Sequence, residues 1–284
     1  MFSIEASDIL PLMLTGLIVG MLGGLLGIGG SIIMIPAMAV LFAKRDWSDQ
    51  HLLQAAAMLV NIVVAVPAAI KHRKMGAFRV DLFRAMLPAT IVFIIIGVLV
   101  SDQINSFWLR RLFAIFLIYV AFTTVAKAVR KRPPHEPENE RVTPLRGGFV
   151  GAVMGFLAGL LGIGGGGIAV PLAHVVCRLR LKNCIAVSSM IMCLTAGIGA
   201  VLKISLLPGH GHAVIEPIVL FLCLAPTAVL GSVIGASLTH RIPANGLRIV
   251  FGGVMIIVAA RMWAVSTPVI PETPPEPAAE VAPR

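Results

Sequence analysis

Long apolar runs separated by short polar segments fill most of this chain. A membrane-spanning helix needs ~20 consecutive apolar residues, and six runs have about that length. They cover residues 51–70, 84–101, 107–126, 183–203, 215–239 and 246–265. Two further runs, 9–43 and 147–177, carry almost no charge and are too long for one ordinary span. The pattern predicts an all-α polytopic membrane protein.

The composition excludes the main soluble classes. The chain has 284 residues, of which 58% are apolar and 13% charged, and its mean hydropathy is +0.95. A soluble domain is ~25% charged, so this chain has too little polar surface for water. The net charge of +10 comes from short basic clusters between the apolar runs, whereas nucleic-acid-binding proteins gather such residues on one face. The four cysteines show no metal-site spacing, and we interpret them as small buried hydrophobic residues.

Each of the two long runs contains a glycine cluster followed by a proline. The clusters are Gly27–Ser31 and Gly162–Gly167, and the prolines are Pro36 and Pro171. Glycine and proline both interrupt helices, so each run is expected to form a helix, a break and a second, shorter helix. Broken helices at membrane depth occur only where protein or a polar cavity surrounds them.

The basic residues favour one topology. If each broken run returns to the side where it began, sixteen of the 23 Lys and Arg residues share one side. They lie in segments 71–84, 127–146, 178–182 and 241–248. If each long run crossed the membrane once, twelve Lys and Arg residues would lie on one side and nine on the other. The positive-inside rule therefore favours the return topology, with both termini outside and the central linker in the cytoplasm.

The chain contains an internal repeat. With a shift of 135, Gly24–Gly30 and Pro36 align with Gly159–Gly165 and Pro171. A shift of 138 aligns Pro88 and Gly97 with Pro226 and Gly235. We therefore expect two homologous halves, each with a glycine-broken helix pair and three transmembrane helices. They would be inverted under the return topology and parallel under the alternative. The expected division is 8–130 for the first transmembrane repeat, 131–144 for a cytoplasmic linker, 145–265 for the second repeat and 266–284 for a flexible Pro-rich tail.

Glycine recurs at every fourth residue before each break. The two series are Gly16, Gly20, Gly24 and Gly151, Gly155, Gly159. Such a helix face lets another backbone approach closely, so we interpret both series as packing surfaces. The stretch Gly162–Gly167 also satisfies G-x-G-x-x-G, but no βαβ unit surrounds it, and nucleotide binding is excluded on that ground.

The two breaks are candidates for an anion site. A break followed by a short helix leaves free backbone N–H groups at the positive end of a helix dipole, and such groups bind anions. Packing and kinking alone remain the alternative. The scarce polar residues inside the spans could add donors, or could bond their own helices. These residues are Ser31, Asn61, Ser188, Ser189 and Thr195.

Two other features have simpler interpretations. Lys203 lies near the end of a span and is expected to extend to the lipid headgroups. His210 and His212 lie in a short loop, and two histidines without carboxylates or thiols make a weak metal site. The spans hold no paired carboxylates and no Ser/His/Asp set, so the sequence predicts that the protein is not an enzyme.

The duplicated Gly-Leu-Leu-Gly-Ile-Gly-Gly segments, each followed by a proline, resemble the TauE/SafE family of sulfite and organosulfonate exporters. The likeness covers residues 8–264 and implies a carrier of the bacterial inner membrane that exports small sulfur oxyanions such as sulfite or sulfoacetate, coupled to an ion gradient. Its glycine motifs correspond to Gly27, Gly29, Gly30, Gly162, Gly164 and Gly165, and its hydroxyl pair to Ser188 and Ser189. The first half departs from this pair with Ala57 and Met58.

We therefore expect a secondary transporter that works by alternating access, needs no cofactor and binds no metal or nucleic acid. Its partners would be a small anion, the lipid bilayer and a coupling ion, H⁺ or Na⁺. The sequence leaves open whether it forms a homo-oligomer, and a metal-ion or other small-solute permease is the alternative. The candidate substrate-binding residues are Gly27, Gly29, Gly30, Ser31, Asn61, Gly162, Gly164, Gly165, Gly166, Ser188 and Ser189.

Overall fold

The computed structural model describes residues 5–26, 30–43, 45, 49–129, 141–238 and 244–265. Over these residues the protein contains helices and no strands. The α-helices are α1 (Ala6–Leu26), α2 (Ser31–Leu41), α3 (Gln50–Lys74), α4 (Val80–Gln103), α5 (Ser106–Val129), α6 (Pro144–Leu161), α7 (Gly166–Val176), α8 (Leu181–Leu206), α9 (Ile215–Leu238) and α10 (Ala244–Val265). A short 3-10 helix, Leu207–His210, follows α8.

Among the residues that the structure describes, six helices are long and apolar enough to cross a membrane. Their apolar parts are Gln50–Lys74, Val80–Gln103, Ser106–Ala126, Pro144–Leu161, Leu181–His210 and Ile215–Gly235. Five of them match predicted spans. The sixth predicted span, 246–265, forms α10, but its described apolar part is the shorter segment Gly252–Ala264. The first arm of the second broken run, α6, has spanning length instead, because the glycines that end it come only after 18 helical residues.

The glycines, and not the prolines, interrupt the second broken run. The break lies between α6 and α7 at residues 162–165, whereas Pro171 lies inside α7 and Pro36 lies inside α2. Each proline falls within the first two turns of its short helix. Because proline has no N–H, each removes one i→i−4 hydrogen bond from its helix but does not end it.

The two arms of each broken run return toward the level where the run begins. Arg45, which follows α2, donates hydrogen bonds to Glu5 and Asp8 at the start of α1. In the second half, the backbone N–H of Arg141, just before α6, donates to the carbonyl of Cys177, just after α7, at 3.0 Å. Each run is therefore a helical hairpin whose second arm has 11 residues.

The glycine faces pack helices together, as the sequence predicts. On α6, a methyl group at Gly155 would lie 2.5 Å from the carbonyl oxygen of Thr90, and one at Gly159 would lie 2.5 Å from that of Ile94. On α1, a methyl group at Gly16 would lie 2.7 Å from the carbonyl oxygen of Leu224. Thus α6 packs against α4 and α1 against α9 with their backbones close together.

The remaining helices pair across the two halves of the chain. Helix α3 packs against α8, and α5 packs against α10. The first turns of α3 are enclosed by protein, since Leu52, Leu53 and Ala55 are fully buried. The middle of α8 is buried as well, including Ile191 and Ala196. The α3–α8 pair thus forms the interior of the bundle, and the second break lies against it.

Candidate functional site

The second break requires glycine at three positions. Gly162, Gly164 and Gly165 have φ angles of +74°, +68° and +82°, in the left-handed region that side chains disfavour. Their surroundings also leave no room. A methyl group at Gly162 would lie 2.7 Å from Cβ of Gln54, and one at Gly165 would lie 2.7 Å from Cγ of Met154. The backbone of the break is therefore held against side chains of α3 and α6.

The backbone after the break has unused donors. Gly165 caps α7, and its carbonyl accepts from the N–H groups of Ile168 and Ala169. Among the residues that the structure describes, none accepts a hydrogen bond from the N–H groups of Gly164–Gly167. These groups lie at the positive end of the α7 dipole. Their arrangement is suited to a negatively charged ligand.

Asn61 of α3 supplies a side-chain donor at the same place. Its side chain is 1% exposed, and its Nδ2 atom makes no hydrogen bond with any described residue. Nδ2 lies 2.9 Å from the position that a Cβ on Gly164 would occupy. An unpaired buried amide is costly for folding. A polar ligand at the break would satisfy it.

The first broken run reaches this place through Ser31, the first residue of α2. Its hydroxyl is fully buried and donates to the carbonyl of Ile163, in the second break, at 2.9 Å. Gly30 precedes it and is also buried. Gly27 and Gly29 lie outside the described residues. The N-terminus of α2 and the second break are therefore in direct contact.

The hydroxyl groups of α8 differ in their contacts. Thr195 donates to the carbonyl of Gly164 at 3.0 Å and to its own helix at Met192. Ser188 and Ser189 both donate to the carbonyl of Ile185, in their own helix. At 1.5 Å per residue they lie about 9–10 Å along α8 from Thr195. Of the three, Thr195 is thus the one in contact with the break.

Gln54 is a residue at the break that the sequence interpretation missed. Its Nε2 donates to the carbonyl of Leu160, near the end of α6, at 3.2 Å. Gln54 and Asn61 are seven residues apart, so they share one face of α3. Two amides with this spacing in an otherwise apolar run were a signal of a polar contact along that face.

The expectation for Lys203 is wrong. Its side chain is 3% exposed, and Nζ donates to the hydroxyl of Ser101 on α4 at 2.6 Å. The ammonium therefore lies inside the bundle and does not reach the headgroups. Because α8 packs against both α3 and α4, the lysine stem is enclosed before it reaches the surface. The bundle thus encloses a basic side chain that the sequence interpretation placed at the membrane surface.

Near Lys203, a histidine cluster occupies one end of the bundle; we define it as Asp49, His51, Asp102 and His210. His210 Nε2 lies 2.7 Å from a carboxylate oxygen of Asp102, and its ring stacks on that of His51 at 3.9 Å. Burial raises the pKa of the Asp49 carboxyl, but its hydrogen bond from Ser106 and the proximity of His51 outweigh this, and the pKa is lowered overall.

His210 and His212 do not form a shared site. His212 pairs with Glu216 at 2.7 Å, whereas His210 pairs with Asp102. Across the described ranges, no group of three or more His, Cys, Asp or Glu side chains is placed to hold a metal ion. None of the four cysteines is in a disulfide bond, and two of them, Cys177 and Cys184, are buried.

These features define a polytopic α-helical membrane protein in which a glycine-broken helix is held inside the bundle. The chain belongs to the sulfite exporter TauE/SafE family, whose model matches residues 12–262. The matched residues therefore form a membrane-transporter unit of that family.

Several curated relatives are similar over most of this chain. The probable membrane transporter protein MamO of Magnetospirillum gryphiswaldense is 25% identical over 289 residues, which cover 90% of this chain and 45% of MamO. A probable membrane transporter protein of Haemophilus influenzae is 27% identical, covering 90% of this chain and 98% of that protein. YunE of Bacillus subtilis is 26% identical, covering 88% and 96%. The chain thus spans less than half of the MamO proteins. No solved structure matches significantly.

Proposed function

We propose that this protein is a secondary transporter that exports small sulfur-containing anions, such as sulfite or sulfoacetate. The family's description as sulfite exporters supports this substrate class. The anion would be held at the second break, between the N-terminus of α7 and Asn61, with the N-terminus of α2 alongside. In this proposal Gly30, Ser31, Asn61, Gly162, Gly164, Gly165 and Gly166 form the site, together with Gly27 and Gly29. Ser188 and Ser189 would line the path further along α8.

The observation that carries the proposal is the unpaired amide of Asn61 beside the unpaired N–H groups of the break. Asn61 lies near the middle of α3, and Thr195, which bonds Gly164, lies near the middle of α8. The donors therefore face a point about halfway along both helices. Backbone and amide donors at the positive end of a helix bind anions without a buried cation at the same point.

The helix contacts support a two-fold relationship between residues 8–130 and 145–265, and the two hairpins support an inverted one. The contact of α1 with α9 has its counterpart in that of α6 with α4, and α2 with α3 matches α7 with α8. The first hairpin closes at Arg45, just before α3. The two arms of the second hairpin meet at Cys177, next to the start of α8. The start of α3 lies near the opposite end of α8, because His51 stacks on His210. The outer ends of the two hairpins therefore lie at opposite ends of the bundle, as an inverted repeat requires.

We place the histidine cluster on the outer side of a bacterial inner membrane. The sixteen basic residues of the predicted inner side lie in segments at the other ends of the spans, as the positive-inside rule requires. The linker 131–144 is then cytoplasmic. Movement of one repeat against the other would open the central site to each side in turn, with H⁺ or Na⁺ as the coupling ion.

Replacing Asn61 with leucine tests the site. Leucine has a similar size but lacks the amide. One hydrogen bond to a charged group contributes ~1.5–3 kcal/mol, so anion affinity should fall by about 10- to 150-fold. Because the unpaired amide destabilises the fold, thermal stability should be unchanged or higher. Calorimetric titration of sulfoacetate and thermal unfolding in detergent measure both.

The matched control is Gln103→Leu, which removes an exposed amide at the end of α4. It should bind like the wild type. Wild-type affinity in Asn61→Leu would exclude Asn61 from the site.

A further inference from the structure

A chain of three hydrogen bonds joins Lys203 to the second break. Nζ of Lys203 donates to Oγ of Ser101 at 2.6 Å, and that hydroxyl donates to Oε1 of Gln54 at 3.3 Å. Nε2 of Gln54 then donates to the carbonyl of Leu160 at 3.2 Å. Every donor points the same way, from the ammonium toward α6.

This series of hydrogen bonds ends at Leu160, two residues before the second break. The carbonyl of Leu160 is one of the last in α6, and helix ends leave such carbonyls without a partner from their own helix. The stem of Gln54 also lies against Gly162, where a methyl group would be 2.7 Å from Cβ and Cγ of Gln54. The position of Gln54 therefore bears directly on the conformation of the break.

Lys203 is buried without a carboxylate as a hydrogen-bond partner. Its one hydrogen bond within the described residues is to the neutral hydroxyl of Ser101. The titratable groups that interact with it electrostatically are Asp49 and His51 at the start of α3 and Asp102 at the end of α4, and His210, after α8, stacks on His51. A buried ammonium that lacks a direct counter-charge is costly, and an anion bound nearby lowers that cost.

The direction of donation along these three hydrogen bonds depends on the proton of Lys203. An ammonium group can only donate, so Ser101 accepts from it and gives its own proton to Gln54. A neutral amine can accept, and then the single proton of the Ser101 hydroxyl can point to Lys203 instead. Gln54 would lose this bond, and its hold on the break would loosen.

We propose that Lys203 binds a proton that raises the affinity of the second break for its anion, so that proton binding and anion binding are linked. This inference rests on the proposed anion site. The proton comes from water, adds to the neutral amine and returns to water when the anion leaves. By linkage, anion binding promotes proton uptake as strongly as the proton promotes anion binding. A dianion that leaves with one proton still carries net negative charge outward, the direction that an inside-negative potential favours.

The test measures sulfoacetate affinity from about pH 6 to about pH 10 in the purified full chain. Sulfoacetate keeps a constant charge over this range, whereas sulfite does not. In the wild type, affinity should fall by about fivefold or more as pH rises. Lys203→Met, which is permanently neutral, should bind weakly at every pH. Lys203→Arg, which stays protonated, should keep the low-pH affinity throughout.

The matched control is Lys182→Met, on the exposed start of the same helix, which should keep the wild-type profile. If Lys203→Met does not fold, the pH dependence of affinity in Lys203→Arg and Ser101→Ala tests the inference instead. Ser101→Ala should weaken that pH dependence. A wild-type profile in Lys203→Met or Lys203→Arg overturns the inference and assigns the effect to the histidine cluster. A flat wild-type profile also overturns it, whereas no binding at any pH overturns the proposed anion site itself.

Discussion

Replacing Gly164 with alanine is expected to lower anion affinity by about tenfold or more. Its φ of +68° costs an alanine about 1–2 kcal/mol. The added methyl group would also lie 2.9 Å from Nδ2 of Asn61 and 3.0 Å from Cγ of Met192. Asn61 must then turn away, and the site loses at least one hydrogen bond to the anion, worth ~1.5–3 kcal/mol.

The measurement is calorimetric titration of sulfoacetate, together with uptake into proteoliposomes. Gly197→Ala is the matched control, because a methyl group at Gly197 of α8 meets no atom within 4 Å. It should bind and transport like the wild type. If Gly164→Ala matched this control in both assays, the second break would not be the anion site.

The second large effect concerns stability. Gly155→Ala on α6 should lower the free energy of unfolding by about 1–3 kcal/mol, the usual cost of overpacking. The added methyl group would lie 2.5 Å from the carbonyl oxygen of Thr90 and 3.1 Å from the backbone nitrogen of Ile94. Both are backbone atoms of α4, so neither can move aside as a flexible side chain could. The helices must separate, and the change is measured by thermal unfolding in detergent.

Gly148→Ala tests the same helix without the collision. The nearest atom to its added methyl group is the carbonyl oxygen of Ala85, at 3.9 Å. Alanine favours helix over glycine by about 0.5–1 kcal/mol, so this variant should be as stable as the wild type or more so. Equal stability of Gly155→Ala and Gly148→Ala would contradict close packing of α6 against α4.

The elements that the sequence predicts best are those that glycine determines. Gly162, Gly164 and Gly165 mark the second break because only glycine readily adopts left-handed backbone there. Gly151, Gly155 and Gly159 recur at every fourth residue. This spacing indicates a packing face because a larger residue would keep the neighbouring helix backbone further away. In both cases the chemistry is local, so a linear pattern suffices to reveal it.

The polar contacts around the site could not be predicted in the same way. Lys203 meets Ser101 from a different helix, and Gln54 meets the end of α6, so both depend on how distant segments pack. A lysine near the end of a span extends to the headgroups when its helix faces lipid. Lys203 differs because α8 is enclosed by α3 and α4. Sequence pattern alone does not decide between these two cases.

The repeat also conceals an asymmetry. Under the shift of 135, Ser31 corresponds to Gly166. The hydrogen bond from Ser31 to Ile163 therefore has no equivalent from the second half to the first. Two similar halves can thus form a site in which one break binds the ligand more directly than the other.

Transport assays can establish whether this chain moves a small sulfur-containing anion through a site at the second break, as we propose. The most direct test is efflux from proteoliposomes loaded in turn with sulfite, sulfoacetate, sulfate or thiosulfate, and with a divalent metal ion for comparison. We expect saturable efflux of at least one of these anions, which Gly164→Ala reduces and Gly197→Ala does not. Saturable efflux of the metal ion, with none of any anion, would contradict this proposal.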